Sequence, residues 1–246
     1  MKINFRAQQP YSQPNSPNNN NNFRIRSLAS NDIHSHVDGL AKLTTETAKF
    51  RAENAKMNRP ELVFMCGDSY VGGNEQKNNL IIKIMNLLKP DAVIPGNHEF
   101  DSKGSTGLLE RLKGANFKTL VANLNVNPDG NMDKLFKSEK LAKSTVIEKN
   151  GEKICVIGLT PADLFMRISQ ETKDYCKDFT VKNLPDTIKA VQDEVKQLES
   201  RNVNKIYLLS HMGYDADVAM AKMLEGVDVI QGAHSHDTLP GLIPKV

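Results

Sequence analysis

Every histidine of this chain lies in one of four short polar clusters, and each cluster follows an apolar run typical of a β-strand. Histidines that serve only as surface residues would scatter along the chain. Asp and Asn side chains accompany these histidines, and a mixture of imidazole nitrogen with carboxylate and amide oxygen suits divalent ions such as zinc, manganese or iron. The pattern therefore predicts a metal site formed at the ends of strands. The six histidines are His34, His36, His98, His211, His234 and His236.

Segments typical of strands and helices alternate along the chain. The strand-like run 61–65 is followed by apolar residues at helical spacing over 80–88 and by a second strand-like run at 92–94. Such alternation favours an α/β fold with a largely parallel sheet. The pair Asn150-Gly151 predicts a two-residue hairpin, which adds an antiparallel portion. In sheets of this kind ligands bind beyond the carboxyl ends of the strands, where the polar clusters fall.

The clusters occur in an order that is more specific than any one of them. A Gly-Asp pair or an isolated Asp-x-His is common in unrelated chains, whereas five clusters that each follow a strand are not. In chain order they are Asn31-Asp32-x-His34, Gly67-Asp68, Gly96-Asn97-His98-Glu99-Phe100-Asp101, His211-x-Gly213 and Gly232-x-His234-Ser235-His236. With these motifs, residues 23–246 resemble the calcineurin-like metallophosphoesterase superfamily, and within it the N-terminal catalytic domain of bacterial 5′-nucleotidases.

The resemblance implies a four-layer α/β/β/α sandwich of two mixed sheets with two divalent metal ions, Mn, Zn, Fe or Co, at its top. It implies that the ions lie about 3.5–4 Å apart, activate a water and hydrolyse phosphate monoesters such as nucleoside 5′-monophosphates. By the same resemblance His98 stabilises the reacting phosphate or the leaving oxygen, and Asp101 orients His98. One ion would be held by Asp32, His34, Asp68 and His236, and the other by Asp68, Asn97, His211 and His234.

Three nearby residues keep open interpretations. His36 is either a residue that supports the site or contacts substrate, or a plain loop histidine. Glu99 is expected to support the site or begin a helix rather than bind metal. Asn123 matches an asparagine that the family places near the site, and a turn-forming role is an equal alternative.

Two other functions remain as alternatives to monoester hydrolysis. The same metal ligands would serve a cyclic-nucleotide or dinucleotide phosphodiesterase, because the ligand set hardly distinguishes the two reactions. A metal-binding module without catalytic activity is the third hypothesis. It is motivated by the short distance between His236 and the last residue, Val246.

We expect residues 1–22, rich in Asn, Pro and Gln, to be a disordered tail, and residues 23–246 to form the catalytic domain. We expect the family's C-terminal substrate-binding domain to be absent and the fold to be C-terminally truncated, with an open edge that favours an oligomer or a partner chain. A net charge of +3 without a Lys/Arg block argues against a nucleic-acid polymer as partner. No apolar run suits a membrane span or a secretory signal, and three cysteines without paired spacing fit a cytoplasmic location.

Overall fold

A computed structural model describes residues 23–239 and 241–244. The predicted disordered tail, residues 1–22, lies outside this range. The strands are β1 (Arg26–Ser30), β2 (Glu61–Cys66), β3 (Ala92–Ile94), β4 (Thr119–Leu120), β5 (Leu124–Val126), β6 (Leu141–Ala142), β7 (Ser144–Lys149), β8 (Glu152–Leu159), β9 (Phe179–Val181), β10 (Ile206–Ser210) and β11 (Val229–Gly232). The helices are α1 (Val37–Lys56), α2 (Glu75–Leu88), α3 (Gly104–Lys113), α4 (Asn131–Lys137), α5 (Leu164–Arg167), α6 (Gln170–Asp174), α7 (Leu184–Glu199) and α8 (Tyr214–Met223), with one 3₁₀ turn at His98–Phe100.

The strands form two main sheets and one small ribbon. The larger sheet has the order β1-β2-β3-β4-β6 and is parallel throughout. The second sheet, β11-β10-β8-β7, is mixed, because β7 and β8 pair antiparallel while the other pairs are parallel. The ribbon pairs β5 with β9. The α/β fold predicted from the sequence is confirmed.

Apolar side chains divide the molecule into four layers. Leu40 of α1 and Ile81 of α2 are buried against the outer face of the larger sheet. Phe64 of β2 and Val156 of β8 belong to one buried cluster, so the inner faces of the two sheets pack on each other. Val191 of α7 packs on the outer face of the smaller sheet. Helices thus cover both sides of a double sheet, as expected for an α/β/β/α sandwich.

The β7–β8 hairpin shows why the local sequence determines this corner of the fold. Asn150 and Gly151 connect the strands, and both have positive φ, 52° and 80°. A two-residue turn with positive φ at both positions matches the right-handed twist of the flanking strands, and Asn-Gly tolerates it best. The hairpin places β8 in the centre of the smaller sheet, next to β10. Within residues 23–239 and 241–244, no helix has the length and apolar character needed to cross a bilayer.

Candidate metal centre

All seven predicted metal ligands lie just beyond the carboxyl ends of parallel strands, at one edge of the sandwich. They follow β1, β2 and β3 of the larger sheet and β10 and β11 of the smaller one, so both sheets contribute. The ligands are Asp32 and His34 after β1, Asp68 after β2, Asn97 after β3, His211 after β10, and His234 and His236 after β11.

Two buried carboxylates connect the histidines of the cluster. Asp68 Oδ2 lies 3.3 Å from His34 Nε2 and 3.1 Å from His211 Nε2. Asp32 Oδ1 lies 3.3 Å from His236 Nε2 and 3.8 Å from His211 Nε2. Separations of this size are those of neighbouring ligands around one ion, since metal–ligand bonds are about 2.0–2.2 Å long.

Several of these ligands have an unusual backbone conformation. Asp32, His34, Asp68, His234 and His236 all have positive φ, between 49° and 80°. Non-glycine residues rarely adopt this left-handed region, and such strain gathers at functional sites where the surroundings enforce it. A backbone hydrogen bond connects the loops after β1 and β2 and helps to hold this conformation, because the His34 amide donates to the Asp68 carbonyl at 2.9 Å.

Glycines permit the close approach of the loops. A Cβ at Gly96 would lie 2.2 Å from Asp68 Oδ1 and 2.6 Å from His211 Nε2. A Cβ at Gly67 would lie 2.5 Å from His211 Nδ1, and Gly67 has a φ of +86°. Any larger residue at these two positions would separate the side chains that form the cluster.

Hydrogen bonds leave one free atom on each of two ligands. His211 Nδ1 donates to the Cys66 carbonyl at 2.7 Å, which orients the ring with Nε2 towards Asp68. Asp32 Oδ2 accepts from Asn31 Nδ2 at 2.5 Å and from the His234 amide at 3.1 Å. Partners of this kind fix the orientation of metal ligands and determine which atom faces the ion.

The free atoms fit a divalent cation. Within the described residues, Asp32 Oδ1, Asn97 Oδ1 and His211 Nε2 are buried and have no hydrogen-bond partner. Buried polar atoms are nearly always satisfied, so unsatisfied atoms on three predicted ligands fit a bound cation. Ligand atoms of Asp32, His34 and His236 lie within 4.8 Å of one another, and so do those of Asp68, His211 and His234. Two carboxylates, one amide and four imidazoles form a donor set suited to zinc, manganese or iron.

The charges of the cluster also suit metal binding. Burial raises the pKa of Asp68, but the nearby imidazoles of His211 and His34 outweigh it and hold the pKa well below its usual range. Burial and the charge of His211 lower the pKa of His234, which favours the neutral imidazole that a metal requires. Burial lowers the pKa of His211 as well, but Asp68 and Asp32 reverse this effect and raise it to about 9. A bound cation would take the place of the proton that the raised pKa favours on the His211 imidazole.

The predicted catalytic pair His98 and Asp101 lies beside the cluster. His98 Nδ1 is 2.5 Å from Asp101 Oδ2, and this bond raises the pKa of His98. The His98 ring centroid is 4.9 Å from that of His34, and the His98 amide donates to Asp68 Oδ1 at 2.9 Å. His98 also forms a group with His34 and Asp68 within 4.8 Å. Neither its proximity nor its bond to Asp101 separates His98 from the ligands, because metal-binding histidines also donate their second ring nitrogen to carboxylates.

Comparison with known proteins agrees with this geometry. The family described as calcineurin-like phosphoesterase matches residues 25–238. The chain belongs to this family. Members of this family use divalent metal ions, and the clustered side chains of this phosphoesterase provide the donors that such ions require.

The relatives of this phosphoesterase include several nucleotidases. It is 31% identical to the snake venom 5′-nucleotidase of Crotalus adamanteus over 237 residues, which cover 88% of this chain and 38% of that protein. It is 31% identical to the 5′-nucleotidase of Mus musculus over 238 residues, with the same coverage. The phosphoesterase therefore spans about two-fifths of the length of these relatives.

Solved structures show the same fold. The 5′-nucleotidase precursor of Thermus thermophilus superposes with a TM-score of 0.71 at 26% identity, covering 87% of this chain and 43% of that one. The NAD nucleotidase of Haemophilus influenzae superposes with a TM-score of 0.70 at 25% identity, covering 85% of this chain and 38% of that one.

The three residues with open interpretations have distinct places in the phosphoesterase. His36 is exposed and caps α1, since its Nδ1 accepts from the Gly39 amide at 3.0 Å. Asn123 is buried and joins the loop after β8, because its side chain donates to the Thr160 carbonyl at 2.7 Å and accepts from the Thr160 amide at 3.1 Å. Glu99 is buried behind the ligands and binds backbone amides.

Sequence reasoning missed two supports of the cluster, Asn31 and the Cys66 carbonyl. Asn31 stands directly before Asp32, but adjacency does not reveal that its amide donates to that carboxylate. The Cys66 carbonyl orients His211 across 145 residues of sequence, and a backbone atom leaves no sequence signature.

Proposed function

We propose that this chain is a two-metal phosphoesterase that hydrolyses phosphate monoesters, with nucleoside 5′-monophosphates as the substrate class. One observation carries the proposal: the unsatisfied buried atoms Asp32 Oδ1 and His211 Nε2 lie 3.8 Å apart, and His211 Nε2 is 3.1 Å from Asp68 Oδ2. One ion would be held by Asp32, His34, Asp68 and His236. The other would be held by Asp68, Asn97, His211 and His234.

The central role falls to Asp68, because a carboxylate offers two anionic oxygens and can contact both ions. Bound divalent ions would supply an activated water and charge neutralisation for the phosphate oxygens. His34 Nε2 and His211 Nε2 already lie 3.3 and 3.1 Å from Asp68 Oδ2. The strained loops of these residues hold the carboxylate in place before any ion arrives, which reduces the reorganisation that binding requires.

Proton transfer is assigned to His98. With Nδ1 bonded to Asp101, Nε2 is the ring nitrogen without a hydrogen bond to any described residue, and the raised pKa of His98 favours the protonated form. Protonated His98 would stabilise the negative charge on the reacting phosphate and donate a proton to the leaving oxygen. Asp101 would hold the ring orientation and balance the charge of the imidazolium.

The choice of substrate rests on similarity. Two of the relatives are named 5′-nucleotidases, and each is 31% identical to this chain. The alternative is a phosphodiesterase that acts on dinucleotides or cyclic nucleotides. It is supported by the likeness to a protein named NAD nucleotidase and by 29% identity to the trifunctional nucleotide phosphoesterase YfkN of Bacillus subtilis. Both functions would use the same metal centre.

Two substitutions test the assignment of roles. Asp68→Asn should abolish metal binding and phosphate release from AMP together, because the amide loses the anionic charge. His98→Ala should reduce turnover by about 10²–10⁴-fold while the metal content, measured by elemental analysis, stays unchanged. Asp129→Asn is the control, since this side chain is 89% exposed and follows β5, a strand that carries none of the proposed ligands. Full activity in both site variants would refute the proposal.

A further inference from the structure

We propose that Glu99 is a positioning residue whose buried carboxylate joins the two loops that hold Asp68 and Asn97 and thereby determines how tightly metal binds. The inference rests on the proposed function, because it assigns a role towards the same metal centre. Glu99 is 5% exposed and has no place among the ligand groups in the part of the chain that the structure describes. Its role must therefore come from what its carboxylate contacts.

Both oxygens of the Glu99 carboxylate accept hydrogen bonds from backbone amides of the two loops. Oε2 accepts from the Asp68 amide at 2.8 Å and from the Gly96 amide at 2.7 Å, and Oε1 accepts from the Ser69 amide at 2.8 Å. The three donors belong to the loops after β2 and β3. Three donors and no acceptor suit a carboxyl group but not an amide, because a Gln side chain would direct an N–H group at another N–H.

The backbone of Glu99 is fixed from the opposite side by Arg111 of α3. The Arg111 guanidinium donates to the Glu99 carbonyl at 2.9 Å and to the Asp101 carbonyl at 3.4 Å. Arg111 is 2% exposed, forms an ion pair with Glu75 at 3.2 Å, and stacks on the Tyr70 ring at 4.9 Å. The Glu99 carboxylate therefore has a well-fixed backbone, so its hydrogen bonds can restrict the movement of the loops after β2 and β3.

The position of the Asp68 carboxylate depends on this connection. Asp68 has a φ of +51°, which is unfavourable for a non-glycine residue and requires external support. Its Oδ1 lies so close to Gly96 that a Cβ there would be 2.2 Å away. Glu99 binds the amides of both residues, and Asn97 follows Gly96 directly. Without Glu99, the distance between the loops of Asp68 and Asn97 would be less tightly fixed, and these two residues are proposed to share an ion.

When ionised, Glu99 would also add negative charge beside the proposed ions. Asp32 and Asp68 are the two carboxylates among the seven proposed ligands, and they leave the charge of two divalent ions only partly balanced. The Glu99 carboxylate accepts from the Asp68 amide, so it lies directly behind the bridging ligand. A charge buried beside the ions would act through a low dielectric, and salt would screen it little.

The test compares Glu99→Gln with Glu110→Gln. Glu110 is the matched control, because it is a glutamate of α3 that is 60% exposed and pairs with Lys113 at 2.7 Å. Glu99→Gln should weaken Mn²⁺ binding by about 10–100-fold in calorimetric titration, as is usual when a partner of a metal ligand is lost. The rise in melting temperature on adding Mn²⁺ should shrink with it. Excess Mn²⁺ should restore turnover in the Glu99→Gln variant, and Glu110→Gln should match wild type throughout.

A purely structural role for Glu99 would give a different result. Glu99→Gln would then melt at a lower temperature by the same amount with and without Mn²⁺, at unchanged Mn²⁺ affinity, and this outcome would overturn the inference. If Glu99→Gln does not fold, Glu99→Asp decides, because it keeps the charge but shortens the reach: weakened Mn²⁺ binding supports the inference, and wild-type binding overturns it. A wild-type protein that binds no metal would instead refute the proposed function.

Discussion

Replacing Gly96 with alanine should remove metal binding through a single methyl group. The added Cβ would lie 2.2 Å from Asp68 Oδ1 and 2.6 Å from His211 Nε2, whereas ordinary contacts begin at 3.4 Å. Both side chains would have to retreat by roughly 1 Å, and coordination tolerates deviations of only about 0.2 Å. Because both are proposed ligands of the same ion, the substitution affects two bonds at once.

The expected size of the effect follows from these displacements. Disturbing one partner of a ligand weakens metal binding by about 10–100-fold, so moving two ligands should weaken it by at least about 100-fold. At metal concentrations far above the wild-type dissociation constant, that loss removes about 2.7 kcal/mol of metal-induced stabilisation. Overpacking adds a penalty of about 1–3 kcal/mol that is present without metal.

The assay is urea unfolding of wild type and variant with Mn²⁺ and with EDTA, together with a metal titration. Gly114→Ala is the matched control, because Gly114 has a φ of −85° and a Cβ there meets its nearest atom, the Arg111 carbonyl oxygen, at 3.7 Å. The control should bind metal normally and gain about 0.4–1 kcal/mol in stability. Wild-type metal affinity in Gly96→Ala would refute the geometry on which the reasoning depends.

Three further results are expected. Asp101→Asn keeps the shape of the side chain that bonds His98 but removes its charge, so turnover should fall about 10²-fold at unchanged metal content; an unchanged turnover would contradict the role of the pair. Burial raises the pKa of Asp217 to about 7, which favours the protonated carboxyl in the folded state. This group therefore stabilises the metal-free protein at low pH, and that contribution is lost as the pH rises towards 7. We therefore expect the free energy of unfolding of Asp217→Asn, minus that of wild type, to rise by about 2–3 kcal/mol as the pH goes from about 5 to about 8. The measurement is urea unfolding with EDTA, and a difference that does not change with pH would contradict this. Stripping metal from wild type with EDTA should lower the melting temperature by about 5–10 °C, and an unchanged value would show that no ion stabilises the fold.

The parts of the fold that the sequence predicts are those with strong local signals. The hairpin at Asn150-Gly151 and the strand Ala92–Ile94 are predictable because turn chemistry and a short apolar run identify them without reference to the rest of the chain. Helix α3 has no such signal, since it begins with Gly104 and its apolar stretch is short. It is helical because Leu108 and Leu112 are buried in the core beside α2, which is a tertiary effect.

The ribbon of β5 and β9 could not be predicted for a related reason. Each strand has three residues, and Leu124 pairs with Val181 across a long stretch of intervening chain. Short strands that pair over such a distance carry little periodicity of their own, and their pairing is decided by the elements that bring them together.

The residues of the candidate site are predictable because their chemistry stands in short motifs after strands. The motifs do not reveal which contacts hold the ligand-bearing loops in position. Glu99 binds amides of Asp68 and Ser69, about 30 positions earlier in the chain, and Arg111 supports it from α3. Such contacts arise only when the strands are aligned in the sheet, so they are visible in the structure and not in the sequence.

The central claim is that this phosphoesterase hydrolyses phosphate monoesters with two divalent ions. It is tested most directly by phosphate release from AMP, a cyclic nucleotide and an aryl phosphate, with metal-stripped protein and with added Mn²⁺ or Zn²⁺. The account predicts no release without metal and restored release from AMP once two ions are bound per chain. Folded protein that binds two ions and releases phosphate from none of these substrates would contradict it.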